Sequence, residues 1–113
     1  MKIAIIGSRN LKINNLEDFL PDNLTEIVSG GAIGVDSDAA EYAKKNDIKL
    51  TEFLPNYARY HKGAPFERNE RIAEYADEAI AFWDGHSKGT MYTVNAFLRR
   101  NKRVTVIKLS KFS

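Results

Sequence analysis

Short β-rich runs alternate with helical patterns along the chain, and no other feature limits its fold as strongly. "KIAIIG" (2–7) is nearly continuous apolar, as a strand covered on both faces must be. "TEIVSG" (25–30), "IKLTEF" (48–53), "EAIAFW" (78–83) and "RVTVIKL" (103–109) are the other strand candidates. Between them, "NLEDFL" predicts a short helix. "GVDSDAAEYAKKN" places Val35, Ala39, Tyr42 and Ala43 on one face at helical spacing. "PFERNERIAEYA" does the same with Phe66, Ile72, Ala73 and Ala76, and has Pro65 in its first turn. "KGTMYTVNAFLRRN" does it with Met91, Val94, Phe97 and Leu98. The resulting order, βαβαβαβαβ, predicts an α/β fold. Its form is a Rossmann-like three-layer α/β/α sandwich around a five-stranded parallel sheet, with right-handed crossovers and strand order 3-2-1-4-5. At 113 residues, the span 1–113 is expected to form one domain.

In that order strands one and four are neighbours across the switch point, where open α/β sheets bind ligands. Three strands end there in small polar loops: "GSRN", "SGGAIG" and "WDGHSKGT". Glycine inside a regular element costs roughly 1 kcal/mol relative to alanine, so a cluster marks a special backbone path. From the first loop, Gly7 allows close approach, Ser8 offers a hydroxyl and Arg9 a planar fork suited to phosphate. Ser29, Gly30, Gly31 and Ala32 form a second wall, and Gly34 opens the next helix. In the third, Asp84 precedes Ser87, Gly89 and Thr90, whose amides and hydroxyls make a phosphate nest. Asp36, in a helical first turn, is expected to complement the helix dipole. Arg68 and Asn69 lie near the start of the following long helix; a basic residue there opposes the dipole and suits a ligand better. On the long connection "LPNYARYHKGAPFERN", Tyr57, Tyr60 and His61 can stack on a base or pack down the loop. Neither "GSRNLK" nor "GHSKGT" is a dinucleotide or P-loop fingerprint.

Composition narrows the partners. There is no cysteine, and His61 and His86 stand at no metal-pair spacing, so neither metal nor cofactor is expected. The first apolar run is too short for a membrane span and has no cleavage pattern, which makes a cytoplasmic location the default. A net charge of +2 weighs against nucleic acid. The C-terminal "LRRNKRVTVIKLSKFS" holds six Lys or Arg and no acid, and is taken as a solvated basic face. The expected partner is a small nucleotide-type ligand, and apolar helix faces allow a homodimer.

The chain resembles the SLOG superfamily, which includes DNA-processing protein A and the cytokinin-activating LOG enzymes. "GSR", "SGGAIGVDSDAAEYA", "ERNERIAEYADEAIAFW" and "DGHSKGT" occur in the order those domains use, from residue 7 to about 107. The likeness is greatest to small, stand-alone bacterial and phage members. It implies a Rossmann-like domain that binds a nucleotide or nucleotide derivative through Gly7, Ser8, Arg9, Gly30, Gly31, Arg68, Asn69, Ser87, Gly89 and Thr90. LOG enzymes carry a catalytic Glu three residues after the Thr of their glycine-rich motif, and Thr93 occupies that position here. The leading expectation is therefore a binding module: a sensor, carrier or sequestering domain. Beside it stand a nucleotide hydrolase, with Asp84 or Glu70 as base and Arg68 orienting the phosphate, and single-stranded DNA binding.

Overall fold

A computed structural model describes residues 1–109; the last four residues of the basic C-terminal stretch, Lys111 among them, lie outside the described residues. Along the chain come β1 (Lys2–Gly7), a 3-10 turn (Leu16–Phe19), β2 (Glu26–Ser29), α1 (Val35–Lys45) and β3 (Lys49–Glu52). They are followed by α2 (Tyr57–Tyr60), a second 3-10 turn (His61–Gly63), α3 (Ala64–Tyr75), β4 (Glu78–Trp83), α4 (Lys88–Arg99) and β5 (Val104–Lys108). All strand pairs are parallel, in the order β3-β2-β1-β4-β5. That is the expected Rossmann-like sheet. Its register runs Ile3 against Ile27 on one side of β1, and Ile3 against Glu78 through to Gly7 against Phe82 on the other.

Alternation along the central strands divides side chains by size. Ile3, Ile5, Ile27, Ile80 and Phe82 point into one layer, where α1 supplies Val35, Ala39 and Ala43. A single helix leaves room there, and Leu11, Ile13 and Leu16 from the β1–β2 connection help to fill it. The other layer receives Ala4, Val28, Ala79 and Ala81, with the larger Ile6 at the strand end, beneath two helices, α3 and α4, which contribute Ile72, Ala73, Ala76, Val94, Ala96 and Phe97. Small residues on this face let two helices sit close to the strands without overpacking.

"NLEDFL" forms only a 3-10 turn, and no side chain caps its start. The connection expected to be a long loop before α3 is largely helical. Asn56 caps α2 by accepting the Arg59 amide at 3.2 Å, and α3 begins at Ala64 with Pro65 in its first turn. One turn of helix is too short for its periodicity to show in sequence.

Candidate functional site

A crevice of about 310 Å³ opens at the carboxyl ends of the strands, between the starts of α1, α3 and α4. Of the residues expected there, Gly7, Arg9, Gly30, Ala32, Arg68, Asn69, Ser87, Gly89 and Thr90 line it. The start of α4 is its polar wall. Ser87 Oγ caps the helix, accepting the Thr90 amide at 3.2 Å and the Thr90 hydroxyl at 3.0 Å. Behind it, Trp83 Nε1 donates to the Ser87 carbonyl at 3.0 Å and fixes the turn. Among the described residues the first-turn amides of Lys88 and Gly89 have no partner, as helix geometry requires of them. Nothing lies within 4 Å of where a Gly89 Cβ would be, so the backbone is open to approach. Arg9, also lining the crevice, is exposed and joins no ion pair among the described residues.

Five of the expected residues turn elsewhere. Ser8 is buried, and its Oγ accepts the Asp84 amide at 3.2 Å, stitching the end of β1 to that of β4. Ser29 is fully buried; its Oγ accepts the Gly31 amide and donates to the Asp36 carbonyl. Gly31 (φ +70°) faces Leu54, whose Cδ2 would lie 2.5 Å from an added Cβ. Gly34 (φ +76°) starts α1 against the Arg9 backbone, which leaves no room for a side chain. Asp84 Oδ1 accepts the His86 and Ser87 amides, both at 2.8 Å, and those bonds hold its carboxyl below the usual range. It shapes the turn into α4 rather than facing the crevice.

Arg68, expected to reach a ligand, lines the crevice with its guanidinium engaged by the protein itself. Its Nη1 donates to the Gly30 carbonyl at 2.6 Å and the Phe53 carbonyl at 3.5 Å, and its Nε donates to Asn69 Oδ1 at 2.8 Å. Burial lowers its pKa, with Asp36 opposing that shift. The residue ties the loops after β2 and β3 to α3. An added Gly30 Cβ would stand 2.6 Å from Arg68 Nη1 and 3.0 Å from Asp36 Oδ2, so only glycine lets the two groups approach over it.

The acids weighed as a hydrolytic base are engaged too. Glu70 accepts from Arg99, Tyr92 and Arg100 at 2.8, 2.6 and 2.8 Å, which holds its pKa at about 2. Glu67 pairs with Arg71 one turn away. Thr93, where the LOG resemblance would have Glu, is buried and donates to the Gly89 carbonyl at 3.1 Å. Among the described residues no three His, Asp or Glu side chains converge to hold a metal ion.

Sequence reasoning missed the apolar wall made by Ile6, Pro65, Phe66 and Ile72. Phe66 and Ile72 carry a helical periodicity that pointed to the core; Phe66 is instead 45% exposed and packs edge-on to Tyr92. It also missed the direction of Asp36, which bonds back to the Ala32 amide at 3.2 Å and lines the crevice. Burial pushes its carboxyl up to about 6, against the opposing pull of the Ala32 amide and Arg68.

Fold and site thus define a Rossmann-like α/β domain with a crevice at its switch point. A family model described as DNA recombination-mediator protein A matches residues 1–110, and the chain belongs to that family. Among solved structures, the X-ray structure of DNA processing protein A (DprA) from Streptococcus pneumoniae matches with a TM-score of 0.72 at 21% identity. The match covers 96% of this chain and 50% of that one, so the chain spans half the length of this relative. No curated protein matches the chain. Membership in a family of DNA recombination mediators overturns the expectation of a small-molecule partner with nucleic acid set aside. Net charge misled because it averages over the whole surface, whereas contact with a strand depends on the few cations beside its phosphates.

Proposed function

We propose that the crevice holds one nucleotide unit of a single DNA strand, with the phosphate at the start of α4. The observation that carries this reading is the pairing of two unlike walls in one crevice. Its polar groups are the Lys88 and Gly89 amides and the Arg9 guanidinium, all without a partner among the described residues; its apolar ones are Ile6, Pro65, Phe66 and Ile72. Backbone amides at a helix start, with a cation in the same crevice, suit a phosphate, and an apolar wall suits a sugar and base. Tyr57 and Tyr60, 56% and 37% exposed, stand on α2 next to α3 and offer stacking faces for neighbouring bases. A paired base would have to leave its duplex to enter, which favours a single strand. A nucleotide as the recognised unit keeps the reading of the loops; the strand that bears it comes from the family. Work on DNA also suits a cytoplasmic location, and among the described residues no helix is long and apolar enough to cross a membrane.

Fluorescence anisotropy with a labelled oligothymidine, against a duplex of equal length, tests this. The single strand is expected to bind more tightly, with log K falling against log salt at about −0.7 per phosphate contacted. Arg9→Ala is expected to weaken binding by about 1.5–3 kcal/mol, the scale of a charged hydrogen bond. Equal affinity for the duplex, or binding indifferent to salt and to Arg9, would refute the assignment.

A further inference from the structure

Asp36 is nine-tenths buried, at 9% exposure, yet only part of its hydrogen-bonding capacity is used. Oδ2 accepts the Ala32 amide, while Oδ1 has no partner among the described residues. The charged groups facing it are Arg68 from α3, Glu52 from β3 and Arg9 from the loop after β1. None of these pairs with it directly: Arg68 Nη1 is engaged by the Gly30 and Phe53 carbonyls. Starting the helix does not require such an arrangement. Asp38, on the same first turn, complements the dipole while holding the Ile13 amide at 2.7 Å, and Gly34 begins α1 without a side-chain cap. Among the described residues no fully buried side-chain oxygen lacks a partner, so Oδ1 reaches the crevice surface, where a donor can meet it and offset the hydration that the carboxylate has lost.

If the crevice takes a nucleotide unit, as proposed above, the bases differ sharply in what they can offer an acceptor-only group. Guanine presents two adjacent donors, N1–H and the N2 amino group. Adenine and cytosine place a ring-nitrogen acceptor beside their amino donor, and thymine flanks its N3–H with two carbonyls. Only guanine meets both carboxylate oxygens without setting an acceptor against an acceptor. We infer that Asp36 recognises the Watson–Crick edge of a guanine base lodged in the crevice, making it a specificity-determining residue of the site. A site built around a hydrogen bond rejects a ligand that lacks the matching group more strongly than an apolar pocket rejects a missing methylene. Protonation would remove an acceptor position, and the elevated pKa of Asp36 places that loss near pH 6.

The test uses the full chain and labelled 12-mers of thymidine carrying one central guanine, deoxyinosine, adenine or cytosine, titrated at pH 7.5 and pH 5.0. At pH 7.5 the guanine 12-mer is expected to bind about tenfold more tightly than plain oligothymidine. Deoxyinosine, lacking the N2 amino group, should keep only a fraction of that gain. At pH 5.0, and in Asp36→Asn at either pH, the ratio should fall to about one. Equal affinity for every 12-mer at pH 7.5, or a guanine preference that survives deoxyinosine or Asp36→Asn, would overturn the inference while leaving strand binding intact. No binding of any oligonucleotide would instead overturn the proposed function, and this inference with it. The deoxyinosine comparison changes only the ligand, so it decides the matter even if the variant fails to fold.

Discussion

Asp36 shows how a residue suited to a site can weaken the fold that holds it. An ordinary aspartate titrates near 3.8, and in the folded chain this one titrates near 6. Between those values the folded state binds a proton that the unfolded state does not. Its contribution to stability therefore improves as pH falls from 6 toward 4, and at neutral pH the buried charge is a net cost. Asp36→Asn keeps an oxygen for the Ala32 amide and removes the charge. We predict that it raises stability at pH 7.5 by roughly 1–3 kcal/mol and flattens the stability profile between pH 6 and pH 4. Thermal unfolding across that range checks it; a lowered melting temperature at pH 7.5 would mean that attraction to Arg68 outweighs burial. Gly30 belongs to the same picture, since any side chain there would separate Arg68 from Asp36.

Two helices meet the crevice under different constraints. α4 opens on a capped turn in which Ser87 accepts from both the amide and the hydroxyl of Thr90. Ser87→Ala removes an acceptor from a partly buried donor and should cost about 1 kcal/mol, read as a lower midpoint in urea. It should also weaken oligonucleotide binding, because a frayed first turn no longer holds the Lys88 and Gly89 amides in place. A stability loss with unchanged affinity would remove α4 from the binding surface. α3 is held against α4 by Glu70 with Arg99 and Arg100, a surface cluster worth only a modest amount in solvent. Its acid has a lowered pKa, so that contribution is present above the ordinary glutamate range and is lost as pH falls toward about 2. Acid therefore first relieves Asp36 and only later releases the α3–α4 pair.

The two hydrophobic layers share the central strands, so neither can lose its packing without exposing the reverse face of the same sheet. The radius of gyration, 13.0 Å, is that of a compact chain of this length. We predict one cooperative calorimetric transition, with equal van't Hoff and calorimetric enthalpies of about 0.7 kcal/mol per residue near 60 °C. Two resolved transitions would show that the span 1–113 does not act as one unit. A bound oligonucleotide at 100 times its dissociation constant should add about 2.7 kcal/mol to that stability.

The layered α/β architecture, the parallel sheet and the strands whose ends carry the glycine loops were all legible in the amino-acid order. These follow from local periodicity and from the chirality of short crossovers, which a linear reading captures. It also located most of the crevice, because Gly7, Gly30, Ser87, Gly89 and Thr90 sit where strands end and helices begin. Tertiary structure alone decided which way the polar groups face. Ser8 turns inward because its partner is the Asp84 amide 76 residues away, and Arg68 is held by a carbonyl 38 residues away. Asp36 faces the crevice because Gly30, lacking a side chain, leaves space for it beside Arg68. Contacts between residues so distant in the chain have no period, so only the folded chain shows which group is bound internally and which remains free for a ligand.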